Sequence, residues 1–132
     1  MMQYEISELC RRKKDQTVRL RELRELTEQL AEAVERRDEV SARMALSMRQ
    51  LPLEQVQEIE TGIGEYLLTL PEEEAVRLNE LLRGGEAHDT FEEELSEQVS
   101  QYRRALESVT ELDRRISIHV AGKRSFYTLL GR

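Results

Sequence analysis

The chain has 132 residues and a formal charge of -7, with 36% charged and 5% aromatic side chains, 2 prolines, 6 glycines and 1 cysteine. Heavy use of Glu, Leu, Arg and Ala with few breakers is the composition of long helices, and the length allows one modest core. The negative charge argues against general binding of nucleic acid or of an anionic membrane surface, and a lone Cys10 excludes an internal disulfide.

From Tyr4 to Gln50 the chain contains neither Gly nor Pro. Alternating steps of four and three trace Leu9, Lys13, Gln16, Leu20, Leu23, Thr27, Leu30, Val34, Arg37, Ser41, Met44, Met48 and Leu51. A mean step of 3.5 residues keeps one stripe of a helix facing a partner, so the spacing predicts one helix over 4–50, about 70 Å long. Pro52 ends or kinks it, and suits the first turn of the next helix. There Val56, Ile59, Ile63, Leu67 and Leu70 form one apolar face, while Gly62 and Gly64 weaken it by about 1 kcal/mol each relative to Ala.

Thr69-Leu70-Pro71-Glu72 has the form of a capping box, with Glu72, Glu73 and Glu74 in the turn where negative charge suits the helix dipole. Ala75, Leu78, Leu81 and Leu82 give this short helix its apolar side, and Gly84-Gly85 supplies a stop. A polar loop over 86–89 precedes a second capping-box pattern, Thr90-Phe91-Glu92-Glu93. The last helix is predicted over 90–121. Its seam runs Leu95, Val99, Tyr102, Leu106, Val109, Asp113, Ile116 and Val120, with Leu106 expected in the core. Gly122 interrupts it, and 125–130 form an apolar tail able to move on its own, either tucked into the core or offered to a partner.

The expected fold is all-α: an elongated antiparallel hairpin of the two long helices, with two short helices at one end. It is a single domain over 1–132, with 122–132 as its tail. Residues 11–24 carry seven basic side chains and 54–97 fourteen acidic ones. A hairpin would bring Arg11, Arg12, Lys13 and Lys14 towards Lys123 and Arg124, making a rod with a basic end at the termini and an acidic end at the loops.

Catalytic chemistry is not visible. His119 has no Glu three residues before it, so the Glu-x-x-His pair of di-metal bundles is missing, and His88 reads as part of a solvated loop. There is no Gly-rich phosphate loop, and neither a cofactor, a metal nor a small-molecule substrate is implied. The basic run Arg11–Lys14, continued by Arg19, Arg21 and Arg24, reads as a solvated face or a dock for an acidic partner, since no base-reading side chain accompanies it. Lys123 is expected to reach water from its seam position. Arg37 and Asp113 could either fix register as a polar layer or do the same. No apolar run approaches a membrane span, and a cytoplasmic location is expected.

One long amino-terminal helix, short middle helices and a long carboxy-terminal heptad helix with an apolar tail resemble the FlgN-type flagellar export chaperones. The local pieces that carry the likeness are Leu30-Ala31-Glu32-Ala33-Val34-Glu35-Arg36-Arg37-Asp38 and Leu106 to Ile116. The resemblance implies a cytoplasmic, non-enzymatic chaperone that holds a helical terminal segment of hook-associated proteins until export. The matching partner-binding positions are Leu112, Ile116 and Val120, with Phe126, Tyr127, Leu129 and Leu130 beyond them. The alternative is a homodimeric coiled-coil scaffold or adaptor, in which a second copy covers the same seam.

Overall fold

The computed structural model describes residues 2–121, and among them there are five α-helices and no strand. They are α1 (Gln3–Glu35), α2 (Glu39–Met48), α3 (Gln50–Leu68), α4 (Glu72–Leu82) and α5 (Thr90–Ala121). The protein is an all-α helical bundle built around α1. Every seam residue of α1 from Leu9 to Val34 is buried, including Lys13, Gln16 and Thr27. That is the expectation of the four-three rhythm, since a stripe repeating at 3.5 residues stays on one side of the helix.

The rhythm does not continue as one helix to Gln50. α1 stops at Glu35, where Arg37 adopts a left-handed backbone with φ 59°. The Arg37 N–H donates to Val34 O at 3.2 Å and the Asp38 N–H to Ala33 O at 2.8 Å, the paired bonds of a Schellman turn. Asp38 then caps α2, its carboxylate accepting from Ser41 N at 3.1 Å and from the Ser41 hydroxyl at 2.7 Å. Its carboxyl is held below the usual range chiefly by the hydroxyl of Ser41. Pro52 does not end a helix. Arg49 keeps right-handed helical angles between α2 and α3, and Pro52 sits in the first turn of α3, where its missing N–H has no helical partner to lose.

α2 and α3 therefore form one return leg of about 45 Å at 1.5 Å per residue. Arg12 Nη1 donates to Gly62 O at 3.1 Å and Gln16 Nε2 to Val56 O at 3.2 Å, so the leg runs antiparallel to α1. The chain is thus back beside the start of α1 before α5 begins, and α5 runs parallel to α1. Ile6 and Leu9 cluster with Leu95 and Val99, Leu20 and Leu23 with Ala105 and Val109, and Leu30 and Val34 with Ile116 and Val120. This corrects the antiparallel hairpin expected for the two long helices: an unbroken first helix leaves no return leg, and the turn at 36–38 supplies one. The expected basic end falls with it. Arg11 and Arg12 lie beside α3, bordering a hollow with Glu58 and Gly62, and Arg12 stacks over the Tyr66 ring at 4.9 Å.

α4 closes the lower end. Its stop is as expected: Gly84 takes φ 93°, and the Gly85 N–H donates to Glu80 O at 2.8 Å. Neither expected threonine caps its helix. The Thr69 hydroxyl donates to Tyr66 O, and Asp89, one residue before Thr90, accepts from Glu92 N at 2.8 Å. Glu92 is instead clasped by Arg77 of α4 through bonds of 2.5 and 3.2 Å, which lower its pKa and tie α4 to the start of α5.

Leu106 is 42% exposed and its neighbour Ala105 is buried, a slip of one position in the α5 seam. Ala105, not Leu106, takes the place between Leu20, Leu23, Val56 and Val109. Leu9→Ala, at a site with 0% exposure, is expected to cost about 2–5 kcal/mol in urea unfolding, and Leu106→Ala about 0.5 kcal/mol. Equal losses would place both in the core. Arg37→Gly should raise stability by about 1 kcal/mol, because glycine adopts the left-handed backbone without the clash of a Cβ; a loss on that substitution would mean the turn is not as described.

Candidate functional site

Of the residues expected to bind a partner, Val120 is buried among Leu30, Ala33, Val34, Ala42 and Ala45, and Ile116 packs against the same cluster. Leu112 is half-buried. The chain's own α1 and α2 thus occupy the last turns of this seam, which the sequence left open because it placed α2 elsewhere. Phe126, Tyr127, Leu129 and Leu130 lie outside the described residues.

The reversal at 36–38 exposes a different set. α2 turns Ala42 and Ala45 towards α1, two small side chains that allow close approach. The residues that continued the α1 rhythm past the break are thereby turned outward. Met44 is 61% exposed, Met48 52% and Leu51 61%, and Val40, one turn earlier, 74%. At spacings of four, four and three these form a continuous apolar stripe on one helix face. Met44 and Met48 border a shallow hollow of about 170 Å³ shared with Gln29, Glu32 and Arg36 of α1. Sequence pattern assigned three of the four to the buried seam and Val40 to the apolar face that widens it.

Between the apolar clusters lies a buried polar layer. Lys13 Nζ donates to Gln16 Oε1 at 2.8 Å, and Gln16 Nε2 donates to Glu60 Oε1 at 2.8 Å. Lys13 also stands 3.8 Å above the Tyr102 ring. Burial pushes the Lys13 pKa down, with Glu60, 3.7 Å away, pulling the other way, and burial pushes the Tyr102 phenol up. The basic run is therefore divided: Arg11 and Arg12 both bind Glu8, Lys13 turns inward, and Arg24 donates to Ser108 at 2.6 Å. Arg49 and Asp113, 3.3 Å apart, join the return leg to α5, so Asp113 acts as a polar link between elements while Arg37 is exposed in the turn.

Cys10 is half-buried against the lower cluster, and burial raises its thiol pKa, the setting of a packed side chain and not of a reactive thiolate. Among the described residues no group of three or more His, Cys, Asp and Glu side chains is placed to hold a metal ion, and no helix is long and apolar enough to cross a membrane. No protein-family model matches the chain, and no curated protein or solved structure matches it significantly.

The polar layer costs stability, because Lys13 is desolvated while Glu60 keeps most of its contact with water. Replacing the pair together, Lys13→Met with Gln16→Leu, is expected to stabilise by about 1–4 kcal/mol in chemical unfolding at neutral pH. The advantage should narrow as pH rises towards 10.5. There the folded wild type, with its lowered Lys13 pKa, has shed the proton before the unfolded chain and is relieved of the buried charge. A clear loss of stability in the double variant would show the layer to be a net support.

Proposed function

We propose that the protein is a non-enzymatic helical chaperone or adaptor that holds a helical segment of a partner protein against α2. The observation that carries this is the stripe Val40, Met44 and Met48 of α2 with Leu51 in the first turn of α3, each more than half exposed while Ala42 and Ala45 bury the other face of α2. An outward apolar stripe of this spacing fits the apolar face of a second helix, and methionine adapts to irregular partners at small cost. The resemblance to flagellar export chaperones supplies the partner class: the helical terminal segment of a hook-associated protein, held in the cytoplasm before export.

Calorimetric titration of the full chain with such a segment tests this. Binding is expected, and Met44→Asp with Met48→Asp should weaken it about tenfold or more while leaving the melting temperature in place, since both side chains are exposed. Binding that ignores these substitutions would defeat the proposal. So would a two-chain species in solution that reverts to single chains on the same substitutions, because the stripe would then serve a homodimeric scaffold.

A further inference from the structure

The amino-terminal ends of α1, α4 and α5 converge at the end of the bundle opposite the α2 stripe, around a cleft of about 970 Å³. Its floor is apolar, from Met2, Ile6, Pro71 and Phe91, the last 41% exposed. Its rim is acidic, and no Lys, Arg or His lines it. Asp89 and Glu92 are engaged, the first in capping α5 and the second with Arg77. Glu72, Glu73 and Glu74 are not: among the described residues no ion pair reaches them. The three helix ends offset part of their charge, but three carboxylates exceed three half charges. An apolar floor under an unopposed acidic rim fits a segment with apolar side chains between basic ones.

The chain itself carries such a segment. Residues 122–132 read Gly-Lys-Arg-Ser-Phe-Tyr-Thr-Leu-Leu-Gly-Arg, with Lys123, Arg124 and Arg132 around two aromatic and two leucine side chains and no acid. It follows α5, whose 32 residues separate it from the cleft by about 48 Å at 1.5 Å per residue. Eleven residues fully stretched span about 40 Å at most. The segment therefore cannot reach the cleft of its own copy.

We propose that residues 123–130 of one copy dock in the acidic-rimmed cleft of a second copy. Lys123 and Arg124 meet Glu72, Glu73 and Glu74, and Phe126 and Tyr127 cover the floor at Phe91 and Ile6. The contact is heterologous: each joined pair keeps one empty cleft and one unused segment, so association continues until a ring closes or a filament grows. The cleft lies at the end opposite the α2 stripe, and the docking segment follows α5, whose Val120 packs against Ala42 and Ala45 of α2.

Light scattering on the full chain tests it with two charge reversals: Glu72→Lys, Glu73→Lys and Glu74→Lys in the cleft, and Lys123→Glu with Arg124→Glu in the segment. The wild type should grow in mass with concentration and shrink again with added salt. Each variant alone should stay a single chain, with association weakened about tenfold or more. An equal mixture should associate again, since the intact cleft of one variant takes the intact segment of the other, and the reversed cleft and reversed segment are themselves complementary in charge. The segment variant alters none of the five helices, so it decides the matter even if the α4 substitutions disturb folding. A wild type that stays a single chain, a segment variant that associates like the wild type, or a mixture of folded variants that fails to pair would each overturn the proposal.

Discussion

The Schellman turn at 36–38 is the constraint on which the architecture depends. Three backbone decisions meet there: the left-handed Arg37, the two N–H groups returned to Val34 and Ala33, and the Asp38 carboxylate that opens α2. Without the turn, α1 and α2 would be one rod and the residues after it would run on into solvent. With it, α2 and α3 return the chain to its start, and α5 must then climb beside α1 in the same direction. Buried on both sides, α1 becomes the axis of the bundle, which is why its seam tolerates so few exposed positions.

The helical class, the start of α5 and the stop at Gly84-Gly85 were legible because each has a strong local cause: sustained periodicity, a polar loop, a residue free to take positive φ. The α1 seam was legible for the same reason, down to polar Lys13 and Gln16. The reversal was not, since Arg36-Arg37-Asp38 contains no glycine and an arginine in the left-handed region leaves no mark on hydrophobic pattern. From that one omission followed the wrong direction for α5 and the inward assignment of Met44, Met48 and Leu51. The Leu106 slip is of another kind. Leu106 and Ala105 are both compatible with the rhythm, and only the packing of the facing helices decides between them. The cleft could not be read at all, because Ile6, Pro71 and Phe91 are brought together only by three separate helix starts.

The molecule divides its surface chemistry by position. Its core weakens in the middle, where Lys13, Gln16 and Glu60 interrupt the packing, and the apolar clusters on either side are anchored by different elements, α4 below and α2 above. Each end then presents a surface of its own. The stripe on α2 is apolar without nearby charge of one sign, suited to a helix face. The cleft combines apolar floor and acidic rim, suited to a shorter and more basic segment. Substitutions at one end leave the other untouched, so the two can be separated experimentally.

The parallel pairing of α1 with α5 also sets the order in which the chain can assemble. Contacts between α1 and the return leg start about ten positions apart at the turn, as in Ala33 with Ala42, and reach 40 and 50 in Gln16 with Val56 and Arg12 with Gly62. Those between α1 and α5 span 80 or more, as in Glu35 with Arg115, Arg24 with Ser108 and Lys13 with Tyr102. Closing the longer loop costs more entropy and has to wait for a formed surface to land on. The hairpin of α1 with α2 and α3 is the surface that local contacts supply first. On the ribosome, too, α5 emerges after the other four described helices, and until it does one flank of Ile6, Leu9, Leu20 and Leu23 stays uncovered. A protein that we read as a shield for a partner's helix thus spends its own synthesis with an unshielded one.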